Sequence, residues 1–358
     1  MFLLRSIDWI IFIPTIFLTA LGSIVLSSVS PGSFPQQFIY LAIALLTFVL
    51  FSAVDIKIIK NTSPFIYVLC CILLLLTLFT GAFIRGASRW LVIGSLSIQP
   101  SEIIKPFLIV FLAHLVSRGK DPKRFLWSFL VFLPAFFLIF KQPDLGSSIV
   151  AGAGFLGVVF VGGAPIWWFV TSILLFVIST PILWKSLAGY QKSRILSFIY
   201  PAADPLRTGY NSLQAVIAIG SGQLLGRGLG QGPQSQLAFL PERHTDFIFS
   251  SLSEELGFLG ALAAIMAFGL ILYRIIVVLK RVEDPFSQSL LGGIFFVFFT
   301  HVVINIGMNL GILPITGIPL PFVSSGGSAL ISMSALLGMV SGISTKLKTY
   351  SKQSILIS

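Results

Sequence analysis

Ten separate apolar runs, most of them long enough to cross a bilayer, limit what this chain can fold into. They cover residues 8–28, 37–54, 63–81, 100–117, 126–140, 147–163, 166–184, 252–278, 287–310 and 326–344. A hydrocarbon core of about 30 Å takes roughly 20 helical residues, so the fifth and sixth runs are the short ones. Only 10% of the residues are charged and the mean hydropathy is +1.00. A soluble domain carries about 25% charged residues, and no water-soluble core could enclose this much apolar surface. Lipid must act as the solvent, and in lipid only helices or closed barrels satisfy every backbone polar group. The expected fold class is therefore all-α and polytopic, with about ten transmembrane helices in a single domain spanning 1–358. The first run lacks a cleavage pattern and is expected to stay as the first helix.

The net charge of +11 does not point to nucleic acid, because the basic residues sit between apolar runs and form no patch or tail. Assigned to alternate sides, Lys57, Lys60, Lys120, Lys123, Arg124, Lys280 and Arg281 enrich the short loops of one side. The other side holds Arg85, Arg89 and Lys141, with its remaining cations in one long loop, 185–251. Short loops decide orientation, so both termini are expected in the cytoplasm. The long loop, between helices 7 and 8, is then extracytoplasmic. Adjacent Cys70 and Cys71 are read as packing or lipid-facing residues, since neighbours in a helix form neither a normal disulfide nor a metal site.

The long loop is patterned. Residues 211–219 have helical apolar spacing and predict an amphipathic or re-entrant element. Glycines at 220, 222, 226, 228, 230 and 232 suggest a tightly turned backbone. A nucleotide loop is rejected, because its lysine and Ser/Thr are missing and the outer side lacks ATP.

Ionisable residues beside or within a bilayer are functional candidates by default. Glu102 and Lys105 share a helix face at i,i+3 spacing. They are either a packing ion pair or the lining of a polar cavity. Arg85 and Arg89 precede that run and suit phosphate binding through the guanidinium fork, or else anchor to lipid head groups beside Trp90. Asp144, in Lys141-Gln142-Pro143-Asp144-Leu145-Gly146, suits a helix N-cap. The densest cluster is Leu240 to Phe249 (LPERHTDFIF), with Glu254 and Glu255 behind it. Asp246 lies where polar meets apolar sequence, a setting that would raise its pKa towards a general base. The alternative is a turn leading into the helix, with Asp246 as its N-terminal charge. His244 and its neighbours lack a familiar metal-ligand spacing. Gly311 to Ser328 (GILPITGIPLPFVSSGGS) carries no charge, and its three prolines and four glycines break helical structure at membrane depth. Such backbone must be buried in protein or line a cavity. With Asn305 and Asn309 on one helical face, it is read as the wall of a polar pocket.

The runs Gln142 to Gly146, Leu240 to Phe249 and Gly311 to Ser328 together resemble the SEDS family of bacterial cell-wall proteins, over nearly the whole chain. Arg243 in the second run and the short termini are more like the rod-elongation branch than the division branch. The resemblance implies a peptidoglycan glycosyltransferase of the bacterial cytoplasmic (inner) membrane, acting in cell elongation and rod shape. Such enzymes polymerise lipid II on the outer face, partnered by a class B penicillin-binding protein transpeptidase and other elongation-machinery membrane proteins. It implies Asp246 as the catalytic aspartate, Glu102 and Lys105 as the intramembrane pair, and Arg89 as the outer arginine. Arg85, Asp144, Arg194, Arg243, His244, Asn305 and Ser325 are the further substrate-binding candidates. No protein metal site or certain cofactor is expected, although a divalent cation (Mg or Mn) could offset pyrophosphate charge. A lipid II flippase is the rival from another class, because broken backbone and an intramembrane ion pair also suit a transporter.

Overall fold

The computed structural model describes residues 6–357 apart from 81, 85–86, 94–95, 120, 143, 188, 201–207 and 238. Its helices follow the apolar runs. They are α1 (Trp9–Val29), α2 (Phe34–Ala53), α3 (Ile56–Thr80), α4 (Pro100–Val116), α5 (Lys123–Lys141), α6 (Leu145–Val161) and α7 (Ile166–Ser186). The long loop adds α8 (Gly189–Ile199), α9 (Thr208–Ser221) and α10 (Pro233–Gln236). Then come α11 (Ile248–Arg281), α12 (Pro285–Asn309) and α13 (Gly327–Ile357). Among the described residues, seven helices are long and apolar enough to cross a membrane by length and composition. The apolar helices α6 and α7 stand beside them. The protein is an all-α polytopic membrane protein.

Local chemistry sets the helix starts. The Asp8, Asp144 and Asp284 side chains accept from the backbone N–H groups of Ile10, Ser147 and Ser287, capping α1, α6 and α12. Pro100 and Pro285 open α4 and α12, where a missing N–H costs nothing.

Small residues set the packing. A Cβ on Gly157 of α6 would lie 2.5 Å from the carbonyl of Gly292 on α12, and one on Gly154 would meet Ile109 of α4 at 2.4 Å. Without a hydrophobic drive between helices in lipid, such close backbone approach is what holds them. Gly338 and Gly342 do the same for α13 against Phe48 and Ser52 of α2. The α13 span is the most enclosed of the bundle, whereas α7 exposes Ile166, Ile178 and Ile182.

The start of α1 meets α11 and α13 at one end of the bundle. Ser341 donates to the carbonyl of Ser6, and Asp8 is ion-paired with Arg274 at 2.7 Å while accepting from Ser344. Arg274 is buried in this pair. The opposite end carries an element the sequence did not announce: an antiparallel sheet of β1 (Ala82–Ile84), β2 (Ala87–Ile93) and β3 (Leu96–Ile98). Tyr40 on α2 ties it down by accepting from the N–H of Ser97 at 2.8 Å and donating to its carbonyl at 3.1 Å.

The glycine-rich loop after α9 packs backbone to backbone on the start of α11. A Cβ on Gly222 would fall 1.9 Å from the Ser253 carbonyl, and one on Gly226 would fall 2.1 Å from that of Glu255. Glu254 accepts from the N–H groups of Gln234 and Ser235, and Glu255 accepts from Ser28 and the N–H of Gly230. These two acids hold the loop to the bundle.

Candidate active site

A polar cavity of about 170 Å³ opens among α4, α6, α8, α12, the loop before α11 and the segment 311–328. Its floor is built by α4 and α6. Lys105 donates to Glu102 Oε1 at 2.6 Å, and Ser147 Oγ donates to the same oxygen at 3.0 Å. Lys105 also meets His301 Nε2 of α12 at 3.3 Å. Beside them Asp144 accepts from Gln99 Nε2 at 2.6 Å, Ser101 Oγ at 2.9 Å and the Ser147 N–H at 3.1 Å. Each buried charge is therefore paired or multiply hydrogen-bonded, as the low-dielectric interior demands.

Two atoms on the walls are not so provided for. Trp90 Nε1, a donor, and Glu102 Oε2, an acceptor, are buried without a hydrogen-bond partner among the described residues. Both residues line the cavity. Buried polar groups are nearly always satisfied, so an orphan donor and an orphan acceptor on two residues that line one cavity mark it as a candidate site for a polar ligand.

The upper wall is the loop leading into α11. Three successive carbonyls there are clamped. Ser325 donates to the His244 carbonyl from its N–H at 2.9 Å and its Oγ at 2.8 Å. Ser324 Oγ donates to that of Thr245 at 2.7 Å. The amides of Asn305 and Asn309 both donate to that of Asp246 at 3.0 Å. The half-buried Asp246 side chain is thereby carried on fixed backbone at the cavity. A Cβ on Gly317 (φ +76°) would sit 3.5 Å from Asp246 Oδ2 and 3.5 Å from Arg194 Nη1, so carboxylate and guanidinium both face that glycine. The positive φ, which L side chains rarely adopt, is what favours glycine here; an added Cβ would be in ordinary contact with both groups.

The sequence candidates divide. Glu102, Lys105, Asp144, Arg194, Asp246 and Ser325 line the one cavity. His244 instead lines an adjoining chamber of about 230 Å³ with Gln36, Gln37 and Tyr40, and Ser325 borders both spaces. Arg243 turns away: its Nε donates to the Val29 carbonyl at 3.2 Å, where a cation suits the C-terminal end of α1. Asn305 is fully buried behind the wall, donating to the carbonyls of Asp246 and Ile318, so it positions backbone where a ligand contact was expected. Arg85 and the side chain of Arg89 lie outside the described residues. His301, Ser147, Gln99, Glu242 and Thr245 line the cavity and were not singled out from sequence. For His301 a signal existed, since it precedes Asn305 and Asn309 by four and eight residues on one helical face. Among the described residues no group of three or more His, Cys, Asp or Glu side chains could hold a metal ion.

Fold and site together define a multi-pass membrane protein with a charged cavity at one end of its bundle. The family model for the FtsW, RodA and SpoVE cell cycle proteins matches residues 2–349. Peptidoglycan glycosyltransferase MrdB of Escherichia coli K12 is 39% identical over 326 residues, covering 90% of this chain and 88% of its own. The probable peptidoglycan glycosyltransferase FtsW of Nitrosococcus halophilus is 39% identical over 76% of this chain and 72% of its own. Among solved structures, a chain of a peptidoglycan synthase complex coordinating polymerization and crosslinking superposes with a TM-score of 0.80 at 30% identity. That match covers 95% of this chain and 98% of the other. The rod shape determining protein RodA of Thermus thermophilus superposes at 0.71 with 27% identity, over 95% and 97% of the two chains. The chain belongs to the FtsW/RodA/SpoVE family, the SEDS proteins.

Proposed function

We propose that this peptidoglycan glycosyltransferase joins lipid II units into glycan strands in the cavity, with Asp246 as general base. The enzyme class follows from the family and from relatives that are named peptidoglycan glycosyltransferases. One observation carries the mechanism: the Asp246 carboxylate and the Arg194 guanidinium face the same glycine at the mouth of a cavity floored by Lys105 and Glu102.

Asp246 takes the proton from the 4-hydroxyl of the acceptor GlcNAc. That oxygen attacks the anomeric carbon of the donor MurNAc. The bond from that carbon to the pyrophosphate oxygen breaks, and the lipid pyrophosphate leaves with the electron pair. An axial α-pyrophosphate giving a β-linked product is an inversion, so one base suffices and no covalent enzyme intermediate forms. Arg194 and Lys105 offset charge developing on the leaving group. Lys105 is held by the buried Glu102 and His301 before substrate arrives, so it needs little reorganisation during reaction. No step is assigned to Mg or Mn. Such a cation would supply charge to offset that of the pyrophosphate.

We place the cavity at the outer leaflet of the bacterial cytoplasmic membrane, with both termini inside. The basic short loops at the opposite end, around Lys57, Lys60, Lys280 and Arg281, support that orientation. The partner is a class B penicillin-binding protein transpeptidase within the elongation machinery. A complex that couples polymerization to crosslinking is the kind of assembly to which the similar solved chain belongs.

The test is glycan synthesis from purified lipid II by the full chain with its partner, wild type against Asp246→Ala. A loss of about 100-fold or more is expected for removal of a general base. Undiminished synthesis by the variant would remove Asp246 from that role. Lipid II crossing vesicle membranes, with no glycan made in detergent, would favour the flippase reading.

A further inference from the structure

We propose that His301 is a positioning residue that holds the Lys105 ammonium towards the cavity and away from the second oxygen of Glu102. The inference rests on the reading of the cavity as the polymerisation site.

His301 sits on α12 and is fully buried. Its Nδ1 lies 3.1 Å from the carbonyl oxygen of Pro319. A carbonyl can only accept, so Nδ1 carries the hydrogen. In the neutral ring Nε2 is then a bare acceptor, and it stands 3.3 Å from Lys105 Nζ. Segment 311–328 thus dictates the tautomer, and the tautomer dictates that the ring can receive a proton donor from Lys105.

An ammonium has three donors. One goes to Glu102 Oε1 at 2.6 Å and one to His301, which leaves the third for the cavity that Lys105 lines. The competing arrangement is close at hand. Glu102 Oε2 is buried, unpartnered and on the same carboxylate. Two unit charges in a low-dielectric setting attract strongly, so an ammonium freed from His301 gains by closing onto both carboxylate oxygens. That collapse would consume the third ammonium donor and the orphan acceptor of a residue that lines the cavity. His301 keeps both available. Its neighbours one and two turns along the same face, Asn305 and Asn309, hold the Asp246 carbonyl. One polar stripe on α12 therefore sets both the cation and the base.

Turnover and KM for lipid II polymerisation by the full chain with its partner test this in His301→Leu, His301→Gln and the double variant His301→Leu/Lys105→Met. We expect His301→Leu to lower kcat about tenfold with KM within about threefold, the pattern of an interaction lost in the transition state. His301→Gln, whose amide can donate to Pro319 and accept from Lys105, should return kcat to within about threefold of wild type. The double variant should be no slower than Lys105→Met alone, since His301 acts through Lys105. If His301→Leu does not fold, His301→Asn is measured, because it is polar but too short to span Pro319 and Lys105. The same tenfold loss is expected of it. Wild-type kcat in the Leu variant, or in Asn where Leu does not fold, would overturn the proposal. So would equal losses in the folded Leu and Gln variants, or losses that multiply in the double variant. Asp246→Ala is run in parallel: if it is inactive while His301→Leu is fully active, only the His301 role fails. Full activity in Asp246→Ala brings down the base reading instead.

Discussion

Asn305 donates to the main-chain carbonyl of Asp246 at 3.0 Å, and its other amide hydrogen reaches the carbonyl of Ile318 at 2.8 Å. One buried side chain therefore joins the loop carrying the proposed base to the broken segment that walls the cavity. Asn305→Leu strands the buried carbonyl of Ile318, at a cost of about 1–3 kcal/mol, and leaves that of Asp246 to Asn309 alone. We expect a lower thermal midpoint in detergent, and glycan synthesis reduced about tenfold as Asp246 loses its fixed backbone. A variant that keeps both properties would show that Asn309 alone holds the loop.

Asp144 is both the N-cap of α6 and the acceptor for Gln99 and Ser101. Replacing it with Ala removes a cap worth about 1 kcal/mol and leaves buried donors unpaired. Asp144→Ala should lose more thermal stability than Asp144→Asn, which keeps an acceptor oxygen. The reverse order in a melting experiment would argue against the cap.

Gly257 interrupts α11 with φ +68° and ψ −168°, and a Cβ there would lie 2.2 Å from the Gly226 nitrogen. Gly257→Ala meets strain and a backbone clash together, so a loss of about 3 kcal/mol or more is expected. Folded yield from membranes should fall sharply. Gly269→Ala on the same helix, where an added Cβ meets nothing within 4 Å, should be nearly silent.

The ion pairs at the terminal end differ by burial. Arg274 with Asp8 is buried, so Arg274→Met alone leaves an uncompensated carboxylate and should cost about 3–5 kcal/mol. Arg274→Met with Asp8→Asn should recover most of it in thermal unfolding. The Lys346–Asp55 pair at 3.0 Å is about half exposed, and Lys346→Ala should change stability by less than about 1 kcal/mol.

Asp55 provides a pH check. A hydrogen bond from the Lys57 N–H, then Lys346, holds its carboxyl below the usual range. A depressed carboxyl adds stability above its unfolded pKa and loses it as pH falls through the folded value. The difference between wild type and Asp55→Asn should therefore be small at neutral pH and vanish in acid. A difference that grows in acid would reverse the sign.

Much was legible in the sequence because it depends on local properties. Apolar run length is one, and it located the helices: each of the ten runs coincides with a helix of 17 residues or more. Capping by Asp144 was likewise readable, and the amphipathic or re-entrant element expected over 211–219 lies within the helix Thr208–Ser221, since both arise within a few residues. The SEDS motifs drew Asp246, Glu102, Lys105 and segment 311–328 towards one site before any contact was visible. Distances between elements were not readable. That Arg243 serves α1 while Arg194 reaches the cavity depends on how a loop folds over a bundle, and nothing in either residue's neighbourhood says so. His301 was not singled out from sequence, because its role depends on Pro319 and Lys105, which meet its two nitrogens only in the folded chain. The short sheet around Trp90 escaped notice because its strands are stabilised by pairing and by Tyr40, not by their own periodicity. Composition and motif decided that this is a membrane glycosyltransferase of the SEDS family. Which side chains share the cavity, and which stand behind it, was decided only by packing, because hydrogen bonds between distant segments exist only once the chain has folded.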